Sequence, residues 1–147
     1  MESIILFDID GTIVSENNPF VTYDDVKPVL QTLKEEGYKL GLYSQGFWLI
    51  QLLKVTSKGL RKYFSKDLLL ISHDKFETLK KKRDSLGNTM FIVDNDTTQV
   101  EKIKNAKFSS NVVPIHLNRH SFQREAAISS LSELPNLLTS LNVVHKI

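Results

Sequence analysis

The 147-residue sequence has no cysteine and no hydrophobic run long enough to cross a bilayer. The missing cysteine excludes thiol catalysis, disulfide bonds and thiolate metal sites. The opening apolar run ends at Asp8 and Asp10, which excludes the core of a signal peptide. The apolar run at 47–53 contains Gln51 and is far shorter than a membrane span. We therefore expect a soluble, cytoplasmic protein.

A strong charge of either sign is also missing. The 19 Lys and Arg residues nearly balance the 17 Asp and Glu residues, for a formal net charge of +2. This balance argues against a dedicated nucleic-acid surface or a membrane surface as the main partner. Because 41% of the residues are hydrophobic, the chain can form one globular core. We expect a single domain over residues 1–147.

Short apolar runs alternate with amphipathic segments along most of the chain. The pattern predicts strands at 3–8, 38–43, 67–71, 89–93 and 112–117. It predicts helices at 26–37, at 46–57, at 76–86 before Gly87, from Thr98 with Glu101 in a capping box, and at 134–141. Strands that alternate with helices favour a parallel sheet with right-handed crossovers. We expect a three-layer, Rossmann-like α/β fold of about five strands with helices on both faces, and 118–132 receives no assignment.

Polar side chains follow four of the predicted strands. Asp8 and Asp10 follow the first, Ser44 the second, Lys75 comes shortly after the third, and Asp94 follows the fourth. Because the carboxyl ends of parallel strands meet at one edge of the sheet, these groups should lie together. They supply a nucleophile, an acid/base, a hydroxyl donor, a cation and a metal-binding carboxylate. Phosphoryl transfer needs such a set, since it depends on positioning and charge neutralisation.

The motif Phe7-Asp8-Ile9-Asp10-Gly11-Thr12 directly follows the first apolar run. With this motif the sequence resembles the haloacid dehalogenase superfamily over nearly its whole length. The resemblance implies that Asp8 attacks phosphorus to form an aspartyl-phosphate, and that Asp10 protonates the leaving group and later activates water. Residues i and i+2 of an extended strand point the same way, so both carboxylates can face one substrate. The structural alternative is a solvated turn at Gly11.

The resemblance also implies roles for residues after the second and third strands. Ser44 would bond the phosphoryl group, and the backbone amides of Gln45 and Gly46, at the start of the next helix, would add anion-binding donors. Lys75 would stabilise the charge of the phosphoryl group and of the ionised nucleophile. Other basic residues compete for this role, although a solvated helix face accounts for most of them: Lys80, Lys81, Lys82 and Arg83.

The cofactor implied by the resemblance is Mg²⁺. Its ligands would be the carboxylate of Asp8, the backbone carbonyl of Asp10 and the carboxylate of Asp94. Members of the family usually carry a second acid directly after the first or about four residues later. Here those positions hold Asn95 and Thr98. Asn95 is a further candidate, because its amide could bind a metal-bound water or orient Lys75.

The intervals between motifs leave no room for a cap domain. About thirty residues separate Asp10 from Ser44, and about thirty separate Ser44 from Lys75. Residues 13–21 suffice only for a small flap, which resembles the family's β-hairpin over the active site. Capless members often act on large substrates or close their sites by oligomerising. We expect a phosphorylated substrate, either macromolecular or enclosed by a neighbouring subunit.

These features predict a Mg²⁺-dependent phosphomonoester hydrolase that acts through an aspartyl-phosphate. One alternative is a degenerate family member that binds a partner without catalysis, which Asn95 favours. Another is a phosphotransferase or mutase of the same family. A receiver-like phosphoacceptor module does not fit the order of the residues. It needs an acceptor aspartate after the third strand and a lysine after the fifth, where this sequence has Ser72 and Asn118.

Overall fold

The computed structural model describes residues 3–86, 89–108, 111–120 and 127–145. These residues form the strands β1 (Ile4–Phe7), β2 (Lys39–Gln45), β3 (Leu69–Ser72), β4 (Met90–Asp94) and β5 (Val112–His116). The helices are α1 (Val26–Glu35), α2 (Trp48–Thr56), α3 (Lys75–Leu86), α4 (Thr97–Asn105) and α5 (Leu134–His145). In these ranges no helix is long and apolar enough to cross a membrane.

The five strands form one parallel sheet in the order β3-β2-β1-β4-β5. The chain builds outward from β1 to β3 and then returns to the other side of β1 for β4. Strand order therefore reverses beside β1, which is where open α/β sheets bind their ligands. The register pairs Phe7 with Val93, so Asp8 and Asp94 come next on adjacent strands.

The sheet is buried on both faces, as the continuous apolar run of β1 predicts. Ile5 and Phe7 pack on one face in a cluster with residues of α1, α2 and α5. Ile4 and Leu6 pack on the other face with residues of α3 and α4. The predicted three-layer fold is confirmed. Within the described ranges no cap domain is inserted, and a small flap follows β1, closed by a bridge between Val14 and Thr22.

Some element boundaries differ from the sequence-based prediction. Residues 66–68 form a 3-10 turn, so β3 begins two residues late. The capping box predicted at Thr98 and Glu101 is wrong. Asp96 is the N-cap of α4, and its carboxylate accepts a hydrogen bond from the Thr98 amide (2.9 Å). A short Asp at that position satisfies a free amide of the first turn as well as a Thr would. Gly87, predicted to end α3, lies outside the described residues.

The segment without a predicted assignment is joined to the base of the flap through Asp25. This carboxylate precedes α1 but does not cap it. It accepts two hydrogen bonds from Arg119 (2.9 Å each), one from the Ser130 hydroxyl (2.8 Å) and one from the Leu131 amide (2.9 Å). Burial raises the pKa of Asp25, but these donors more than offset it and the net pKa is lowered. Arg119 also donates to the Thr12 carbonyl (2.8 Å), which fixes the flap to the body of the protein.

Candidate active site

Three charged side chains meet at the carboxyl ends of β1 and β4. Lys75, the first residue of α3, donates to Asp94 Oδ2 (2.7 Å) and to Asp8 Oδ1 (3.2 Å). The Asp94 carboxylate is fully buried, and the side chains of Lys75 and Asp8 are 4% and 10% exposed. The lysine is therefore shared by two nearly dry carboxylates. Lys75 begins its helix, whereas the sequence placed it just before the helix.

The charges of this cluster do not balance. Burial raises the pKa of Asp8 well above its usual range, the neighbouring Asp94 carboxylate raises it further, and Lys75 offsets only part of this. Burial also raises the pKa of Asp94, again against the charge of Lys75. Burial lowers the pKa of Lys75 itself, but the two carboxylates reverse this and its net pKa is raised. If both carboxyl groups are ionised, one ammonium leaves an excess of negative charge, which is the state that burial disfavours.

Neighbouring aromatic and polar groups fix the position of the Lys75 ammonium. Its Nζ lies 4.7 Å from the centroid of the buried Tyr43 ring, a cation–π contact. The Tyr43 hydroxyl in turn lies 3.5 Å from Gln99 Oε1. The rival basic residues lie elsewhere: Lys80 pairs with Glu77 at the surface, Lys81 and Lys82 are exposed, and Arg83 donates to the Asn111 carbonyl (3.3 Å).

Two residues of α2 that the sequence analysis did not select hold Asp10 and Ser44. Gln51 Nε2 donates to Ser44 Oγ (2.6 Å) and to Asp10 Oδ2 (3.1 Å). Lys54 Nζ forms an ion pair with Asp10 Oδ1 (2.8 Å). Gln51 and Lys54 are three residues apart, so they lie on one face of the helix. Their polarity within the otherwise apolar run Trp48–Thr56 was the available signal.

Replacing Gln51 with leucine should lower kcat by about tenfold to a hundredfold, part of the 10²–10⁴-fold that a positioned acid/base contributes. Leucine fills a similar volume, but it cannot hold Asp10 and Ser44 together. The measurement is steady-state hydrolysis of p-nitrophenyl phosphate with Tm recorded in parallel. Gln31→Leu, on the exposed face of α1, is the matched control. Wild-type kcat in a folded Gln51→Leu variant would contradict the positioning role.

The amides proposed as phosphate donors are placed differently from the prediction. The Gly46 amide donates to the Ser72 carbonyl (2.8 Å), so it closes the loop against the end of β3. Gln45 is the last residue of β2, and α2 begins only at Trp48. Neither residue therefore lies at the helix N-terminus, and the Gly46 amide is already used. The predicted strand ended at residue 43, where the apolar run stops. In the structure β2 continues through Ser44 and Gln45.

Asn95 contacts the flap. Its Nδ2 donates to Glu16 Oε1 (2.6 Å), and no hydrogen bond within the described residues joins it to Lys75. Gly11 lies beneath this contact with a φ of 83°, and a Cβ there would collide with both Asn95 and Glu16. The glycine of the motif is thus required by its backbone conformation and by the close approach of the flap.

The donor set fits a hard divalent cation. Asp8 and Asp94 present buried carboxylates at one edge, and their excess negative charge is what a cation would neutralise. No group of three or more acidic or histidine side chains is arranged for a metal in the described part of the chain. A cation would thus depend on these two carboxylates, the Asp10 carbonyl and oxygens from water or substrate, as Mg²⁺ tolerates.

A surface groove of about 950 Å³ lies between α3 and α4. Phe76, Lys102 and Phe108 are among the residues that line it. None of the polar residues at the strand ends contributes to its walls. The groove is therefore separate from the candidate site at the edge formed by β1 and β4.

Comparison with solved structures finds proteins whose fold is similar to that of this chain. One is a HAD phosphatase from Thermococcus onnurineus, with a TM-score of 0.73 and 20% sequence identity over 94% of this chain and 98% of that chain. Another is described as a haloacid dehalogenase-like hydrolase from Burkholderia xenovorans, with a TM-score of 0.75 and 12% identity over 95% and 97% of the two chains. No protein-family model and no curated protein sequence matches the chain. The structural likeness shows that this chain has the haloacid dehalogenase-like fold.

Proposed function

We propose that this protein is a Mg²⁺-dependent phosphomonoester hydrolase that forms an aspartyl-phosphate on Asp8. The observation that carries the proposal is the Asp8–Lys75–Asp94 cluster at the point where strand order reverses. A buried carboxylate beside a fixed ammonium and a second carboxylate can serve as a nucleophile with its charge held in place. The complete cluster favours catalysis over a role limited to binding a partner.

In the first half-reaction an Asp8 oxygen bonds to phosphorus, the ester P–O bond breaks and Asp10 gives its proton to the departing alkoxide. In the second, water attacks phosphorus, Asp10 takes the proton of that water, and the bond to Asp8 breaks to release phosphate. Asp10 lies at the mouth of the site, where Gln51 and Lys54 position its carboxyl group to exchange a proton with the leaving group and with water.

The remaining groups neutralise and orient the phosphoryl oxygens. Ser44 Oγ lies within hydrogen-bond distance of Gln51 and can donate to a phosphoryl oxygen. Lys75 offsets the charge of Asp8 and can also approach the transferred group. Mg²⁺, bound by Asp8, Asp94 and the Asp10 carbonyl, would supply further charge neutralisation.

The open site supports assignment to the capless branch, with one domain built around this site. The Asp10 side chain is 42% exposed and only a small flap lies nearby, so bulky leaving groups have access. A phosphorylated macromolecule, or a small ester covered by a neighbouring subunit, fits this opening. Transfer to an acceptor other than water, as in a mutase, would show as aspartyl-phosphate formation without release of phosphate.

The test is hydrolysis of p-nitrophenyl phosphate by the purified protein with Mg²⁺ and with EDTA. We expect turnover with Mg²⁺, its loss with EDTA and its recovery as Mg²⁺ is added back, because two buried carboxylates need the cation. Turnover that is insensitive to EDTA would reject the metal assignment. If wild-type protein shows neither turnover nor Mg²⁺-dependent binding of beryllofluoride, the catalytic proposal is rejected.

A further inference from the structure

Helix α2 has its polarity reversed relative to a surface helix of a globular protein. Its polar residues Gln51 and Lys54 face the site, where they bond Asp10 and Ser44. Among its apolar residues Val55 is buried in the core, whereas those left exposed at or before the first two turns are Phe47, Trp48, Leu49, Ile50 and Leu53. A surface helix normally buries its apolar stripe. This apolar surface therefore calls for a ligand or partner.

Phe47 lies at the mouth of the site. It comes two residues after the end of β2, the strand that carries Ser44. Its carbonyl accepts a hydrogen bond from the backbone N–H of Gln51 (3.0 Å), whose side chain bonds Ser44. The Phe47 ring makes an edge contact with His73 (centroids 4.9 Å apart, 87°), two residues before Lys75. The ring thus lies between the end of β2, which carries Ser44, and the segment just before Lys75, and 65% of the residue is exposed.

A second exposed aromatic residue lies on the flap. Phe20 is 68% exposed, and the flap that carries it begins at Ile13, three residues after Asp10. The bond between Glu16 and Asn95 fixes this flap on the β4 side of the site, whereas Phe47 lies on the β2 and β3 side. Two exposed aromatic rings therefore belong to segments on either side of the catalytic edge.

The cations at the site are already paired. Lys75 is shared by Asp8 and Asp94, and Lys54 pairs with Asp10. Neither lysine is left to bind a second anionic group in the leaving group of a substrate. The large exposed side chains of the flanking segments, Phe47 and Phe20, are instead apolar.

We propose that the substrates are phosphomonoesters with an apolar leaving group, an alkyl or aryl portion that packs against Phe47 and Phe20. This inference rests on the proposed function, because it assumes that the phosphoryl group occupies the site at Asp8. The phosphate is fixed by the polar edge, and the ester oxygen directs the leaving group toward the mouth. There an apolar group gains by removing the two rings and itself from water.

The test compares kcat/KM for butyl, pentyl and hexyl phosphate with that for glycerol 3-phosphate. The three alkyl leaving groups are primary alcohols of nearly equal basicity, so differences among them report recognition, and glycerol 3-phosphate is the polar comparison. We expect kcat/KM to rise by about twofold to fourfold for each added methylene, from the transfer free energy of a buried CH₂. Phe47→Ala and Phe20→Ala should flatten this dependence. Leu49→Ala, exposed on the opposite side of α2 from Gln51, is the matched control and should keep it.

A binding measurement separates failure of this inference from failure of the proposed function. Trp48, the only tryptophan, adjoins Phe47, so its fluorescence should report hexyl phosphate binding to Asp8→Asn protein. If no ester is hydrolysed, the proposed function fails, and tighter binding of hexyl phosphate than of inorganic phosphate would still support apolar recognition. Equal kcat/KM for all four esters, or equal binding of the two probes, overturns the inference. Light scattering tests a further alternative, in which the Phe47 ring forms a subunit interface. The inference is overturned if wild-type protein self-associates, Phe47→Ala does not, and the dependence of kcat/KM on chain length is the same in both.

Discussion

Replacing Asp8 with asparagine should abolish phosphomonoester hydrolysis, with kcat lowered by about 10⁴-fold or more, as when other covalent nucleophiles are removed. Asparagine has nearly the same shape, but its amide cannot attack phosphorus or accept a transferable phosphoryl group. The folded state should persist. Lys75 keeps Asp94 as a partner, and the variant removes one of two buried carboxylates that share one ammonium.

The effect is measured as kcat with p-nitrophenyl phosphate together with Tm, and the phosphorylated intermediate is sought by mass spectrometry of acid-quenched wild-type protein. Asp24→Asn, at an exposed acid just before α1, is the control and should retain full activity. The assignment of Asp8 as the nucleophile fails if Asp8→Asn retains more than a trace of the wild-type activity. It also fails if the trapped phosphoryl group lies on another residue.

The fold and the core of the site follow from patterns that are local in the sequence. A run such as Ile4–Phe7, apolar at every position, is typical of a strand covered on both faces, and five such runs between helices imply a parallel sheet. The strand-end rule then brings Asp8, Ser44 and Asp94 to one edge without knowledge of side-chain packing. The structure indeed places them there. Lys75 is less constrained by sequence, since several basic residues follow it and only its contacts with Asp8 and Asp94 in the folded protein distinguish it from them.

The contacts of α2 could not be predicted in the same way. Hydropathy predicts that Gln51 and Lys54 lie on the solvent side of a helix, because it scores the polarity of each side chain and takes no account of buried hydrogen-bond partners. In the structure each polar group has a partner at the site, so the polar face points inward. Asp25 shows the same limit. It has the sequence position of a helix cap, yet its carboxylate bonds Arg119, which lies 94 residues later. The segment around Arg119 has no hydrophobic periodicity from which this contact could be predicted.

Replacing Lys75 with methionine should destabilise the protein by about 3–5 kcal/mol, the range for removing one partner of a buried ion pair, and should also abolish hydrolysis. Methionine matches the length of the lysine stem and can keep the contact with the Tyr43 ring. It leaves Asp8 and Asp94 facing each other in a dry site without a counter-charge. Urea unfolding measures the loss. Lys80→Met, which breaks a surface pair with Glu77 and a surface contact with the Phe76 ring, should change the free energy of unfolding by only about 1 kcal/mol.

A double variant distinguishes loss of charge balance from loss of packing. Lys75→Met combined with Asp94→Asn removes the repulsion between the two carboxylates, so it should regain part of the stability that Lys75→Met loses. It should not regain activity, because neither the ammonium nor the second carboxylate is present to neutralise the phosphoryl group. If the double variant is less stable than Lys75→Met, packing around the lysine stem outweighs electrostatics at this site. If Lys75→Met is as stable and as active as wild type, the shared lysine is not what holds Asp8 ready for attack.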